Sequence, residues 1–212
     1  MKTADRLKKL PGRIFLWIFF SISIYPYIYL VLYSLKNNNE IFFTNPFGFP
    51  KVLRFENYVE AIKAFNIMLY FKNSIIVTSV SIFFVILFAL FFAYAVSRMN
   101  WKYANAAYTY MLFGIFIPLP VIMIPLSILT NTLGISGTYF SLIFPYIAFN
   151  LSFSSLIFYG FFRTIPLAME ESAFIDGAGV FRSFIQIIVP MVKPAIATVT
   201  IFSFIKIWNE YT

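Results

Sequence analysis

The sequence predicts an all-α, polytopic transmembrane helical bundle. Of its 212 residues, 61% are hydrophobic and only 11% are charged, which is more apolar than a soluble domain of this size requires. The apolar residues form runs of about 20 or more, the length that a helix needs to cross a hydrocarbon layer of about 30 Å. Short polar segments separate these runs and carry basic residues at their edges, as expected where basic residues remain on the inner side.

The composition also limits the chemistry that the chain can perform. There is no cysteine and no histidine, which excludes thiol nucleophiles, Cys/His metal sites and every catalytic arrangement that needs an imidazole. These exclusions remove most classes of membrane enzyme, and we predict that the chain has no catalytic residues and no cofactor or metal. The formal charge of +8 is concentrated near the start of the chain, so membrane topology explains it better than a nucleic-acid partner does.

The first apolar run, 14–35, follows a basic tail at 1–13. A cleaved signal peptide also begins with a basic segment, but its apolar core is shorter, about 7 to 15 residues, and a small-residue cleavage site follows it. We therefore predict an uncleaved first span. The polar stretch at 36–72 is predicted to be extracytoplasmic, and its segment RFENYVEAIKAF suits an interfacial helix.

The rest of the chain, 73–212, is predicted to form the core of the bundle. Its spans are placed at 74–97, 106–129, 139–162 and 194–212. Arg98, Lys102 and Arg163 follow two of these spans and mark inner boundaries, whereas the turn from Asn131 to Gly137 has no charge. The amino terminus and the loop at 163–193 are therefore both predicted to be cytoplasmic.

The loop at 163–193 is the one place where acidic residues are concentrated. Pro166 suits the first turn of a short helix, and Gly177 can adopt the positive φ that ends it. Phe181, Phe184, Ile185 and Ile188 follow at a spacing that predicts one apolar face of a second helix, laid in a groove or on lipid. From the residues alone, a solvated connection capped by acidic side chains is the alternative interpretation, and the spacing does not favour docking over it.

The segment EESAFIDGAGVFRSFIQIIVPMVKP closely resembles the cytoplasmic coupling loop of permease subunits in binding-protein-dependent ABC importers. The flanking segments PLPVIMIPLSILTNTLGISGTYFSLIFPY and IFSFIKIWNEYT are similar to those of the carbohydrate-uptake branch, related to the second maltose permease subunit. The resemblance extends from about Asn57 to the end. Ser172 replaces the usual second alanine of the motif with another small residue. Such permeases continue beyond Trp208–Glu210 with another spanning helix, so five spans are visible here and a sixth is expected to be missing.

The resemblance implies a multi-pass subunit of the bacterial cytoplasmic membrane that forms half of a translocation pathway for a sugar or related polyol. Its implied partners are a cytoplasmic ATPase dimer, a second permease subunit of the same or different sequence, an extracytoplasmic solute-binding protein and membrane lipid. A phosphate loop of the type Gly-x-x-x-x-Gly-Lys-Ser/Thr is absent from the sequence, so ATP hydrolysis is assigned to the separate ATPase. An importer of an amino acid, peptide or anion is the alternative, and an ATPase-independent channel or secondary transporter a more distant one.

The resemblance also assigns roles within the loop. Glu171 is expected to pair with a basic group of the ATPase, Gly177 to permit the turn, and Ala173 and Ala178 to allow close backbone approach. Asp176 is explained equally well as a turn former. The predicted coupling residues are Glu171, Ser172, Ala173, Asp176, Gly177, Ala178, Phe181 and Pro190.

Candidate pathway residues lie within the spans. Asn150 and Ser154 would present polar groups to sugar hydroxyls, although serines also hold helices together without binding a solute. Lys206 is a charge inside a span, and we expect it to face the bundle, to extend to the interface or to pair with Glu210 at i+4. Prolines interrupt the third and fourth spans, at a pathway or at ordinary kinks; these are Pro118, Pro120, Pro125 and Pro145.

Overall fold

The structure, a computed structural model, describes residues 10–210, with side chains from Gly12 onward. Most of the predicted basic tail and the last two residues of the predicted fifth span therefore lie outside the described residues. Within 10–210 the chain forms helices and turns and contains no strand, which confirms the predicted all-α class. The chain divides into two compact units between Tyr70 and Phe71.

The first unit contains helix α1 (Leu10–Ser34), a π-helical segment (Glu40–Thr44) and helix α2 (Glu56–Phe65). The loop after α1 is ordered by buried polar contacts. Lys36 is 2% exposed and donates from Nζ to the carbonyl oxygens of Asn45 (2.7 Å) and Pro46 (3.0 Å). Glu40 Oε2 accepts a hydrogen bond from the backbone N–H of Lys51 at 3.0 Å. These contacts make the loop compact. The predicted interfacial segment follows it and forms α2.

The second unit contains most of helix α3 and the helices that follow it. Their bounds are α3 (Ile67–Arg98), α4 (Ala104–Phe113), α5 (Leu119–Thr132), α6 (Phe140–Thr164), α7 (Ala168–Ile175), α8 (Val180–Ser183), α9 (Val189–Met191) and α10 (Lys193–Trp208). A 3₁₀ turn (Gly114–Phe116) extends α4, and a second π-helical segment (Phe184–Ile188) joins α8 to α9. Among residues 10–210, three helices are long and apolar enough to cross a membrane, or up to five spans if each bent pair counts as one.

The predicted third span, 106–129, is not one helix but two that meet at an angle of 100°. The break falls at Ile117 and Pro118, both of which have extended backbone conformations. Pro118 disfavours the helical conformation of the residue before it, and it has no N–H to continue the hydrogen-bond ladder. Pro120 then lies in the first turn of α5, and Pro125 lies inside that helix.

The expectation that Pro145 interrupts the fourth span is wrong, because α6 is continuous through it. Pro145 is the sixth residue of α6, so it removes the one intrahelical hydrogen bond that a backbone N–H at this position would donate, and the helix continues beyond it. The approach to the fifth span also differs from the prediction. The segment Val180–Met191 and helix α10 form an apolar pair bent by 72°, so the apolar region begins well before residue 194.

Helices α3 and α6 run parallel and are joined at both ends. At one end the hydroxyl of Tyr139 lies 2.8 Å from Oδ1 of Asn73. At the other end Nη2 of Arg98 donates to the carbonyl oxygens of Phe162 and Ile165, the latter at 2.7 Å. Helix α10 runs in the opposite direction, since the ring of Trp208 packs edge-on against Phe71 with centroids 5.6 Å apart.

The hydrophobic core of the second unit lies toward the Arg98 end of α3. It is formed by α3, α6, the second π-helical segment and α10, and its fully buried members include Val85, Phe158, Phe162, Ile188 and Ala195. This core holds the loop at 163–193 against the ends of two spanning helices.

Candidate functional site

Helix α7 ends in a glycine-dependent turn. The backbone N–H of Gly177 donates to the carbonyl of Phe174 (3.0 Å), and that of Ala178 donates to the carbonyl of Ala173 (2.9 Å). These two bonds form a Schellman motif, which requires a left-handed residue just after the helix. Gly177 fills that position with φ +83°, and Asp176 is the last residue before it. The turn therefore ends α7 and leads the chain into α8.

Helix α7 has one buried and one exposed face. Ala173 lies on the buried face and is 6% exposed. Glu171 is exposed, and Ile175, one turn later on the same face, is 85% exposed. Ser172 is also exposed, and its hydroxyl donates back to the carbonyl of Ala168 at 2.8 Å. The exposed face of α7 thus combines a carboxylate with a large apolar side chain.

Glu170, which the sequence analysis did not single out, is buried at 4% exposure. Its Oε1 lies 3.2 Å from Nε of Arg98, and its Oε2 accepts a 2.8 Å hydrogen bond from the hydroxyl of Tyr94. We call Glu170, Arg98 and Tyr94 the Glu170 cluster. The sequence by itself indicates Arg98 only as a marker of the inner boundary. The opposite charges of Arg98 and Glu170, both predicted on the same side of the membrane, were the signal that could have suggested this pair.

Two aromatic side chains pack against Tyr94 of the Glu170 cluster. The ring of Tyr94 packs against Phe184 (centroids 4.7 Å apart) and edge-on against Phe162 (6.0 Å). Because the Arg98 and Glu170 side chains are only 5% and 6% exposed, removing one partner would leave a buried unpaired charge. Breaking such a pair typically costs about 3–5 kcal/mol.

The segment after Gly177 differs from the single amphipathic helix that the sequence predicted. The π-helical turn at Phe184–Ile188 adds a residue to the helical repeat and rotates the following side chains, so the predicted face does not stay together. Phe184 and Ile188 are buried in the core, whereas Phe181 is 64% and Ile185 46% exposed. Phe181 stacks on Phe91 of α3 at 6.5 Å, and Pro190 lies in the first turn of α9, exposed.

A cavity of about 490 Å³ lies between the α4–α5 break, α6 and α10. Asn150 and Lys206, two of the three predicted pathway residues, both line it, together with Glu210. Aromatic side chains supply much of the remaining wall; these are Tyr146, Phe149, Phe153 and Phe202. Asn150 also donates from Nδ2 to the carbonyl of Tyr146 at 2.7 Å.

A second cavity, of about 310 Å³, shares Leu119, Tyr146, Phe149 and Glu210 with the first and is therefore adjacent to it. Its other walls include the hydroxyl-bearing residues Ser127, Thr130, Ser136 and Ser141. Ser154, the third predicted pathway residue, is fully buried and lines neither of these two cavities. Within residues 10–210, no group of three or more acidic, histidine or cysteine side chains could hold a metal ion.

Comparison with known proteins decides the family. Residues 85–212 match the family described as binding-protein-dependent transport system inner membrane component. The chain belongs to this family. Relatives include the diacetylchitobiose uptake system permease protein NgcG of Streptomyces coelicolor, 37% identical over 190 residues that cover 90% of this chain and 63% of NgcG. A putative ABC transporter permease protein of a Caldicellulosiruptor species is 34% identical, over 93% of this chain and 72% of its own length.

Two further similarities agree with this family. The multiple sugar-binding transport system permease protein MsmG of Streptococcus mutans is 31% identical, over 88% of this chain and 67% of MsmG. The fold matches a solved bacterial ABC transporter involved in the import of the acidic polysaccharide alginate, with a TM-score of 0.87 over 99% of this chain and 73% of that one, at 23% identity. The chain thus spans about two thirds of the length of these relatives. It covers 63% of NgcG and 72% of the Caldicellulosiruptor protein.

These comparisons confirm the predicted resemblance to ABC importer permeases of the carbohydrate-uptake branch. They also confirm that the chain is a membrane transport component rather than an enzyme.

Proposed function

We propose that this inner membrane component is a permease subunit of a sugar-importing ABC transporter and that α7 and its turn couple it to a cytoplasmic ATPase. The observation that carries the proposal is the exposed face of α7, where Glu171 and Ile175 project from a helix anchored on its other side. An anchored helix whose exposed face carries a carboxylate and a large apolar side chain suits docking into a cleft of a partner protein.

Some of the proposed coupling residues would contact the ATPase, and the others would maintain the shape of the turn. Glu171, Ser172, Asp176 and Phe181 are exposed and available to the ATPase. Gly177 supports them through its positive φ. Ala173 and Pro190 position the chain on either side of the turn, and Ala178 completes the Schellman motif.

The larger cavity is the proposed solute pathway. Its volume of about 490 Å³ lies within the range of about 300–1,000 Å³ that is typical of small-molecule sites. Its aromatic walls offer flat faces to sugar rings, and Asn150 offers both a donor and an acceptor to hydroxyl groups. Lys206 and Glu210 have opposite formal charges on the same wall, so the cavity favours a neutral sugar over an anion.

The proposal places the chain in the bacterial cytoplasmic membrane with its amino terminus and the loop at 163–193 inside. The parallel course of α3 and α6 supports this arrangement, because it brings the basic residues Arg98 and Arg163 to the same side as α7. The other proposed partners are a second permease subunit, a solute-binding protein on the outer side and the surrounding lipid.

The test is to purify the affinity-tagged chain with the proteins encoded beside it and to reconstitute the complex in proteoliposomes. We expect an ATPase to co-purify and its hydrolysis to increase when the binding protein is added with a sugar. The sugar panel would include diacetylchitobiose and raffinose, which the names of relatives suggest. Stimulation by amino acids or peptides instead would overturn the sugar assignment, and absence of a co-purifying ATPase would overturn the transporter class.

A further inference from the structure

The two adjacent glutamates of α7 lie in opposite environments. Glu171 is exposed, whereas the side chain of Glu170 is 6% exposed and is enclosed by the second unit. A carboxylate in that position cannot meet a docked partner protein without leaving its contacts. Glu170 therefore requires a role different from that of Glu171.

The Glu170 cluster joins three separate elements through one guanidinium group. Arg98 is the last residue of α3, its Nη2 donates to the Phe162 and Ile165 carbonyls at the end of α6, and its Nε faces Glu170 of α7 at 3.2 Å. Tyr94, one turn earlier in α3, adds a second contact from α3 to Glu170 at 2.8 Å. The guanidinium group suits this position because its planar array of donors can serve several acceptors at once.

From these contacts we propose that Glu170 is a positioning residue that makes α7 move as one body with the carboxyl-terminal ends of α3 and α6. This inference rests on the proposed coupling function. It assigns to Glu170 the transfer of movement from α7 to the spanning helices, whereas Glu171 is assigned to docking of the ATPase. Displacing α7 alone would separate a buried carboxylate from its guanidinium and its hydroxyl donor, which is unfavourable in a site shielded from water. A force applied to α7 is therefore transferred to both spanning helices.

The segment after the Gly177 turn is also packed against α3. Phe184, which contacts the Tyr94 ring, belongs to the π-helical segment after the turn and also stacks on Phe91 with centroids 5.2 Å apart. The chain on both sides of Gly177 is thus fixed to the same end of α3. The exposed tip, from Ile175 to Gly177, projects from this fixed base.

The experiment compares Glu170→Gln and Tyr94→Phe with Glu171→Gln in the complete complex. Met99→Cys and Met169→Cys provide two nitroxide sites beside the linkage, because both methionines are exposed and the chain has no other cysteine. The other subunits are made cysteine-free. The measurements are ATPase co-purification and the distance between the two nitroxides by EPR, with and without AMP-PNP.

In the parent complex we expect a narrow distance distribution that AMP-PNP leaves unchanged. Glu170→Gln and, more weakly, Tyr94→Phe should retain the ATPase but show a broadened or shifted distance when AMP-PNP is added. Glu171→Gln should show the opposite result, with reduced ATPase co-purification and an unchanged distance. Tyr94→Phe removes only a hydroxyl group, so it keeps the test informative if Glu170→Gln does not fold.

Three outcomes would overturn the assignment. In the first, the parent distance changes with AMP-PNP, so α7 and α3 are not rigidly connected. In the second, both Glu170→Gln and Tyr94→Phe behave as the parent does. In the third, Glu170→Gln loses the ATPase as Glu171→Gln does, so Glu170 acts in docking. Failure of the parent itself to retain an ATPase would instead reject the proposed coupling function.

Discussion

Glu170 and Glu171 are consecutive residues of the same helix, yet only Glu171 is exposed. Glu170 is held by Arg98 and Tyr94 inside the second unit, whereas Glu171 shares its face with Ile175. A helix advances about 100° per residue, so two adjacent side chains readily fall on different faces. Glu170 thus anchors the helix, whereas Glu171 is open to a partner.

Glu171→Ala should weaken ATPase docking by about tenfold or more. The substitution removes a charge-assisted contact, worth about 1.5–3 kcal/mol when desolvated, and about 1.4 kcal/mol corresponds to a factor of ten in affinity. The measurement is the amount of ATPase that co-purifies over a range of ATPase concentrations. Glu60→Ala, which removes an exposed carboxylate from α2, is the matched control and should change nothing. Equal retention of ATPase by both variants would contradict the role of Glu171.

The sequence predicts the local structure of the candidate site but not the long-range contacts behind it. The motif around Glu171 and Gly177 identifies a short helix and a glycine turn, because both depend on residues close together in the chain. The Glu170 cluster was not predicted, since Tyr94 and Glu170 are 76 residues apart and nothing local reveals that α3 and α6 end side by side.

The sharp bend in the third predicted span has a similar explanation. Pro118 indicates an interruption, but a proline does not by itself determine the angle of 100° between the two helices. In contrast, long apolar runs with basic residues at one end are among the strongest sequence signals. The sequence predicts spans at 74–97 and 139–162, and the structure has helices α3 (Ile67–Arg98) and α6 (Phe140–Thr164) there.

Arg98→Met alone should lower the stability of the protein substantially. It leaves the Glu170 carboxylate buried without its cation, which typically costs about 3–5 kcal/mol. The double variant Arg98→Met/Glu170→Met replaces both charges with apolar groups and should recover much of the loss, although the contacts of Arg98 with the α6 carbonyls stay broken. Thermal unfolding of the detergent-purified protein would show this as a higher midpoint for the double variant than for the single one. A double variant less stable than the single one would show that the ion pair is not what stabilises this site.

Single cysteines should report the proposed topology, since the chain has no native cysteine. Asn38, Ser136 and Ser172 are all exposed and lie in three different connecting segments or short helices. An impermeant thiol reagent added to intact cells should label cysteines at positions 38 and 136 but not at 172. After the cells are opened, the cysteine at 172 should react too, which controls for its accessibility. Labelling at 172 in intact cells would reverse the proposed orientation.

Lys206→Met should reduce sugar uptake while leaving assembly intact. Lys206 lines the larger cavity, and methionine keeps a similar length of side chain without the ammonium donor. A hydrogen bond from the Lys206 ammonium to the solute would contribute about 1.5–3 kcal/mol. Its loss should lower the affinity of the pathway for solute about tenfold or more. The measurement is uptake in proteoliposomes as a function of sugar concentration. Lys63→Met in α2 is the control for loss of an exposed lysine, and equal uptake by the two variants would remove Lys206 from the pathway.

Gly177→Ala should impair coupling, whereas Gly179→Ala should not. A Cβ atom at either position would meet nothing within 4 Å, so steric overlap with neighbouring groups does not distinguish the two sites. The backbone conformation does distinguish the two sites, because Gly177 has φ +83° and Gly179 has φ −73°. An L-residue in the left-handed region costs about 1–2 kcal/mol, and relief of that strain would open the Schellman turn that holds Asp176 and Ala178. Both variants should insert and purify normally, because neither residue lies in a spanning helix. The ATPase should then be retained less well by Gly177→Ala alone. If the two alanine variants retained it equally, the conformation of Gly177 would not matter for docking.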